Sequence, residues 1–268
     1  MKLTAKIAAA ILATVFIASA LAGVWAPASY AKQFRDDPSA KPSSKFWLGT
    51  DELGRDRFSR LLYGSRVSLL LAPAAALLST LLAALIGGLA GYFGGRTERV
   101  TMLFTDLFMS MPWLFLLITV RAVMPLNTPP ITSVLITFSL LGLLGWAASA
   151  RVVCSGIKSL RNSEFILQAK AAGCRAWRLF AIQMLPNLKP ILLAQFLISI
   201  PVFILAEANL GILGLGVSEP LPSWGSMLRE LEDFSAVGLQ PWRLVPLFLL
   251  LAVVSCFQVL ITKKEYSR

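Results

Sequence analysis

Apolar runs free of charged residues set the pattern of this chain. Ile7–Ala31 lies between Lys6 and Lys32, Val67–Gly95 between Arg66 and Arg96, Ala122–Ala150 between Arg121 and Arg151, and Leu244–Thr262 between Arg243 and Lys263. Two further runs hold one acid each, Val100–Val120 with Asp106 and Pro190–Leu215 with Glu207. A helix needs roughly 20 residues to cross a ~30 Å hydrocarbon core, and every run is about that long or longer. Gly87, Gly88, Pro112, Gly142, Gly145 and Pro201 lie inside them, as bilayer helices tolerate. The pattern predicts an all-α fold, a polytopic bundle of six transmembrane helices. Residues 1–31 then form a cytoplasmic N-terminus and first span, and 32–66 an extracytoplasmic lead-in. A core of five spans covers 67–262 with a cytoplasmic loop at 151–189, and 263–268 is a cytoplasmic tail.

Composition agrees. The 268 residues are 56% hydrophobic and 15% charged, with mean hydropathy +0.71, whereas a soluble domain is about 45–50% apolar and ~25% charged. There are 25 Lys and Arg against 14 Asp and Glu, a net charge of +11. In a soluble protein that excess would point to nucleic acid. In a membrane protein it reports orientation, because Lys and Arg collect in cytoplasmic loops, and no nucleic-acid partner is expected. With the N-terminus inside, fourteen Lys and Arg fall on the cytoplasmic side and eleven outside, seven of the fourteen between Arg151 and Lys189. Both termini are therefore expected inside, with basic residues against membrane lipid. Lys2, Lys6 and the run Ile7–Ala22 also fit a signal peptide; a retained first helix fits them equally well.

Catalysis has little to stand on. The chain has no histidine, the commonest general base and metal ligand. Cys154, Cys174 and Cys256 show no CxxC spacing, so neither a metal site nor a disulfide framework is expected. No G-x-x-x-x-G-K-[ST] occurs, which argues against a nucleotide site in this chain.

Three segments carry more than membrane-filling residues. In 151–189, Asn162-Ser163-Glu164 reads as a helix start, a capping side chain and then an acid in the first turn. Gly173 reads as its left-handed stop. Phe165, Ile166, Ala169 and Ala172 share a face, with Lys170 opposite, and Arg175–Met184 adds Trp177, Phe180 and Ala181 before Leu185-Pro186. Such a segment either folds against its own bundle or offers apolar side chains to a groove on a cytoplasmic partner.

In the second segment, Gly49-Thr50-Asp51-Glu52-Leu53-Gly54-Arg55-Asp56, Thr50 or Asp51 can cap a short helix and Gly54 permits a turn. Arg55 and Asp56 can pair locally. The third runs from Glu207 through Asn209 to Gly216, then Pro222-Ser223-Trp224-Gly225-Ser226-Met227-Leu228. A carboxylate near the bilayer edge is costly and usually faces the bundle interior or water. Glu207 therefore lines a path, pairs with an Arg of another subunit, or bonds Asn209. Gly211, Gly214 and Gly216 let backbones approach closely. Asp106 is expected to pair with Arg99 or Arg96.

Together these segments resemble the permeases of the oligopeptide/dipeptide/nickel ABC importers, specifically their C-type subunit. Gly49–Asp56, continuing through Arg57–Ser68, is similar to the GTDxxGRD…SRLxYGxRxSL segment. Glu207–Gly216 and Pro222–Leu228 are similar to the E-x-x-L-x-x-L-G-L-G and P-x-W-G-x-M-L blocks. Leu167–Gly173 followed by Leu185-Pro186 looks like the cytoplasmic EAA loop, although Leu167 and Gln168 stand where that loop has Glu and Ala, and Gln183 where it has Ile. Glu164 lies one turn earlier. The likeness runs from Gly49 to Leu260; the usual Gly-Asp-Gly-Leu-Arg-Asp-type tail is replaced by Thr262–Arg268.

The resemblance implies a type I ABC importer permease-like fold in the bacterial inner membrane. It implies a sister permease forming the other half of the path, two cytoplasmic ATPase subunits carrying ATP and Mg, and an extracytoplasmic solute-binding protein. No cofactor is expected in this chain. The implied ATPase-coupling loop comprises Glu164, Phe165, Gln168, Ala169, Ala172, Gly173, Trp177, Leu185 and Pro186. Glu207, Asn209 and Trp224 are implied at the path or subunit interface, and Asp51, Gly54, Arg55 and Asp56 as an extracytoplasmic contact. Peptides are the expected solutes, with nickel or a metal–chelator complex as the alternative. A stand-alone secondary transporter or channel is the competitor from another class. It is poorly matched, with only Asp106 and Glu207 as intramembrane acids and no repeated halves.

Overall fold

Helices make up the regular structure among the residues that the computed structural model describes, 2–123, 125, 128–233, 238 and 240–266. Ser267 and Arg268, the end of the expected tail, lie outside them. In order they are α1 (Lys2–Ala20), α2 (Ala22–Trp25), α3 (Arg57–Phe93), α4 (Gly95–Ser110), α5 (Trp113–Val123), α6 (Pro130–Leu144), α7 (Trp146–Arg161) and α8 (Glu164–Ala171). Then come α9 (Ala176–Arg178), a π-helical turn Leu179–Met184, α10 (Leu185–Asn187), α11 (Lys189–Ile212), α12 (Trp224–Arg229) and α13 (Val245–Tyr266). Five segments are long and apolar enough to cross a membrane: Leu3–Ala20, Arg57–Phe93, Pro130–Arg161, Lys189–Ile212 and Pro241–Thr262. Among the described residues, Gly95–Ser110 and Phe115–Val123, bent by 74° to one another, meet the same criterion together and make a sixth if they cross as one span.

Three boundaries differ from the charge pattern. Helix α3 begins ten residues before its apolar run, because Asp56 caps it. The Asp56 carboxylate accepts from Ser59 N at 2.8 Å and from Ser59 Oγ at 2.6 Å, so neither Thr50 nor Asp51 is the cap. The run Val100–Val120 is not one straight helix. Pro112 has no N–H to give and disfavours helical backbone at Met111, which is extended. The run starting at Ala122 is not one helix either: Ala122 and Val123 end α5, and a new helix starts at Pro130, followed by α7 to Arg161. The segment read as a loop from Arg151 thus begins as helix.

The chain forms two units. The first comprises Met1–Ala72, Ile118–Phe138 and Pro201–Arg268. In it α1 packs along α13, with small buried residues such as Ala5, Ala8 and Cys256 that allow close approach. Residues 26–56 cover the start of α3. Phe34 and Phe46 stack edge-on with ring centroids 5.0 Å apart, and Ala28 N donates to Ser59 Oγ at 3.2 Å.

The second unit comprises Pro73–Leu117 and Ser139–Ile200. Its core is Val153, Ile157, Ile166, Leu179, Met184 and Leu188. Here α3 and α7 cross closely at glycine. A Cβ on Gly91 would stand 2.6 Å from the Cys154 carbonyl oxygen and 2.9 Å from Ile157 Cβ.

Candidate functional site

Two clusters hold the residues that the sequence singles out, one in each unit. In the second unit, α8 ends as the pattern predicts. Gly173 has φ +78°, Gly173 N donates to Lys170 O at 3.0 Å and Cys174 N to Ala169 O at 3.1 Å, which together form a Schellman stop. The start differs in detail. Ser163 precedes the helix, but its hydroxyl donates to Leu160 O at 2.6 Å instead of capping, and Asn162 closes α7.

The apolar face also sits differently. Ile166 is fully buried against Val153 and Ile157, with Ala169 beside it, while Phe165 is 43% exposed and Ala172 is exposed. Successive residues turn by ~100° on a helix, so the seam centred on Ile166 leaves Phe165 outside. Leu167, Trp177 (62% exposed) and Ile182 are outside as well. Glu164 and Gln168 lie on the exposed surface. A depression of about 690 Å³ is lined by Ala169, Ala172, Gly173, Cys174, Trp177 and Gln183, with Arg175 and Arg178 at its edge.

Beyond it the helix widens. Leu185 N reaches back five residues to Phe180 O, a π turn of the kind that often marks functional segments, with Pro186 directly after it. One face of the segment is thus anchored on α7, and the other carries exposed apolar side chains and two arginines.

In the first unit, the segment Gly49–Asp56 and the stretch after Gly216 come together. Arg55 pairs with Asp51, Nε to Oδ2 at 2.6 Å, and with Glu219, not with its neighbour Asp56. Asp51 Oδ1 accepts from Leu53 N at 3.0 Å and Arg55 N at 2.8 Å, wrapping a turn around Gly54, whose φ is +72°. Arg60, 1% exposed, extends Nη2 to Glu219 Oε1 at 3.2 Å. Arg57 donates to Thr50 O at 3.0 Å and pairs with Glu230. Burial alone would lower the Arg55 pKa; the hydrogen bonds and charges of Asp51 and Glu219 outweigh it and hold the guanidinium above its ordinary value.

Helix α12 is seated on α3 by two serines. Trp224 is fully buried; its Nε1 donates to Ser65 Oγ at 2.9 Å and its backbone N to Ser68 Oγ at 3.4 Å. Ser68 Oγ donates in turn to Glu207 Oε2 at 3.2 Å, and Ser223 and Gly225 turn polar groups toward that carboxylate. Glu207 is fully buried and bonds Ser68, not Asn209, whose side chain is exposed. The backbones of Gly211 and Gly225 lie so close that a Cβ on either would collide, which is the close-packing use of these glycines. Arg60, Ser65 and Ser68 lie within the Arg57–Ser68 segment that carries the resemblance but have no role assigned from sequence, and Glu219 lies outside the quoted motifs. The signal was available in Ser65 and Ser68, hydroxyls three positions apart at the border of an apolar helix.

Asp106 pairs with Arg151, not with Arg96 or Arg99. Helices α4 and α7 are neighbours, which brings Arg151 to it from a distant part of the sequence.

The family described as "Binding-protein-dependent transport system inner membrane component" matches residues 83–263. The chain is 32% identical over 251 residues to the dipeptide transport system permease protein DppC of Bacillus subtilis, covering 93% of this chain and 76% of that protein. It is 36% identical over 231 residues to the nickel transport system permease protein NikC of Escherichia coli K12, covering 85% and 80%. It is 34% identical over 203 residues to the oligopeptide transport system permease protein OppC of Bacillus subtilis, covering 76% and 64%. The likeness sets aside a stand-alone transporter. The chain belongs to the family of binding-protein-dependent transport system inner membrane components, as a multi-pass permease subunit of the Opp/Dpp/Nik type.

Proposed function

We propose that this chain forms half of the translocation path of an ATP-driven importer for peptides, and that α8 with the turn at Gly173 is where it is coupled to ATP hydrolysis. The observation that carries this is the divided face of segment 164–188. Ile166 anchors it, while Phe165, Trp177, Ile182 and the depression beside Gly173 stay open. An apolar helix face of that kind fits a groove on a partner. The partners are two cytoplasmic ATPase subunits that hold ATP and Mg and carry out hydrolysis, a sister permease, and an extracytoplasmic solute-binding protein. Glu164, Gln168, Ala169, Ala172, Trp177, Leu185 and Pro186 belong to the coupling segment with Gly173. Movement of the docked ATPases then shifts α8 and, through Ile166 and Ile157, α7. The device is differential contact in two states and involves no chemistry in this chain.

Both termini are cytoplasmic in this reading, with 32–66 outside, five spans across 67–262 and residues 263–268 inside. The packing of α1 along α13 supports a retained first helix. Asp51, Gly54, Arg55 and Asp56 shape the outer surface on which the binding protein docks. Glu207 and Trp224 act by holding α12 in place, and Asn209 is the member of that group left free for a subunit contact. Peptides are favoured by the dipeptide and oligopeptide permeases among the relatives; the nickel permease, at 36% identity, favours a metal or metal–chelator solute as the second reading.

The test is uptake by vesicles holding the complete importer. Labelled dipeptide should enter only with ATP and the binding protein, and Cys174, in a Cys154→Ser/Cys256→Ser background, should react with an impermeant thiol reagent from the cytoplasmic side alone. Uptake by this chain without ATPases, or labelling of Cys174 from outside, would refute the reading.

A further inference from the structure

Helices α4 and α7 run antiparallel and are tied at three levels. Lys158 Nζ lies 2.7 Å from Glu98 Oε1, Asp106 pairs with Arg151, and the Phe108 and Trp146 rings stand 5.5 Å apart. At 1.5 Å per residue, Asp106 is about 12 Å further along α4 than Glu98. The Glu98–Lys158 pair sits near the helix ends. Asp106 lies within the apolar run Val100–Val120, on a helix that passes for a span only together with the next one; Arg151 stands directly after the charge-free run Ala122–Ala150, inside the helical segment Pro130–Arg161. Ionisable groups there face a bundle interior or water, not lipid. Yet their side chains are 53% and 51% exposed.

The exposed faces of this unit differ from helix to helix, and on α4 Leu103, Phe104 and Leu107 are exposed beside Asp106. On α3 the exposed positions are Leu77, Leu81, Leu85 and Leu89, a stripe suited to lipid. On α7, Ala147, Ala150, Val153, Cys154 and Ile157 are buried, and the exposed positions Ala148, Arg151, Ser155 and Ser159 follow one another at helical spacing. That face is small or polar throughout, with only Val152 at its edge.

From this contrast we infer that the α7 face of Ala148, Arg151, Ser155 and Ser159 lines a water-filled part of the translocation path. Within it, the Asp106–Arg151 pair is a contact for a solute carrying both an ammonium and a carboxylate, such as a peptide with free termini. The inference rests on the peptide-importer reading. The chemistry is an exchange of partners: the solute carboxylate takes the place of Asp106 on the Arg151 guanidinium, and its ammonium takes the place of Arg151 on Asp106. Each charge keeps an opposite charge beside it throughout, so the exchange leaves neither ion unpaired.

Two measurements on the complete importer test this. In a background with Cys154, Cys174 and Cys256 replaced by serine, Ser155→Cys and Ala148→Cys should react with a hydrophilic, membrane-impermeant thiosulfonate, and Leu85→Cys should not. Equal silence at all three positions would overturn the water-lined face. The double variant D106N/R151Q keeps a hydrogen bond between α4 and α7 but removes both charges. Its assembly, read by size-exclusion chromatography, should match wild type while dipeptide uptake falls roughly tenfold. Unchanged uptake by that variant would reduce the pair to a structural tie and overturn the proposal. Wild-type importer that carries no dipeptide at all would instead withdraw the peptide reading and with it the zwitterion contact, while the thiol labelling reports separately on the face.

Discussion

Ser68 and Glu207, 139 positions apart, meet inside the first unit, where the serine hydroxyl donates to the carboxylate at 3.2 Å. Because Ser68 also accepts from Trp224 N, one hydroxyl joins α3, α11 and α12. Removing one partner of a buried polar contact costs about 1–3 kcal/mol, and truncation to alanine adds a cavity. Glu207→Ala should therefore lower the stability of the purified permease by about 3 kcal/mol, while Glu207→Gln, which keeps an acceptor of the same size, should cost about 1 kcal/mol or less. Thermal unfolding in detergent reads both. Equal losses would show that the charge of Glu207, not its hydrogen bonding, holds α12.

Gly173 separates backbone strain from crowding. Its φ is +78°, and a Cβ there meets nothing within 4 Å, so a substitution pays only the left-handed conformation, about 1–2 kcal/mol. Gly173→Ala and Gly173→Trp should insert normally and lose uptake per ATP hydrolysed, because the Schellman turn that aims the coupling segment is weakened. Gly173→Asn should keep more activity, since asparagine tolerates this conformation better. Normal coupling in a correctly inserted Gly173→Trp protein would remove the turn from the mechanism.

Gly91 shows the opposite limit. Its added Cβ would press on the Cys154 carbonyl and on Ile157, both in fixed positions, so Gly91→Leu should force α3 and α7 apart at a cost of about 1–3 kcal/mol. Gly88→Ala meets only the Phe180 ring, at 3.1 Å, which can swing. Trypsin resistance of the two variants in membranes should rank Gly91→Leu well below Gly88→Ala.

The ion pairs of residues 32–66 should not contribute equally. Asp51 and Arg55 are nearly buried, with side chains 5% and 10% exposed, and Asp51 also holds two backbone N–H groups. Removing one member of a buried pair costs about 3–5 kcal/mol, and Asp51→Ala should fall near the low end because Arg55 keeps Glu219. Lys45→Ala breaks the exposed Lys45–Asp37 pair and should cost less than ~1 kcal/mol. Melting temperatures of the assembled complex check the ranking.

Much of the molecule was legible because its causes are local. Transfer of a continuous apolar run into lipid does not depend on neighbours, so the spans were readable from the spacing of Lys6, Lys32, Arg66 and Arg96. Left-handed backbone at Gly54 and Gly173 follows from sterics at one residue, and both turns appear where the sequence places them. The break at Pro112 belongs to the same class, although the apolar run around it concealed its size.

The partners of the charged and polar groups were decided only by tertiary structure. Nearest-in-sequence reasoning pairs Arg55 with Asp56, Glu207 with Asn209 and Asp106 with Arg99 or Arg96. The fold pairs them with Asp51 and Glu219, with Ser68, and with Arg151. It likewise turns Ile166 inward and leaves Phe165 outside. Burial of an apolar run is a property of the run, but a hydrogen bond or ion pair exists only where two helices bring their faces within about 3 Å, and which helices become neighbours is written in the packing of the whole chain.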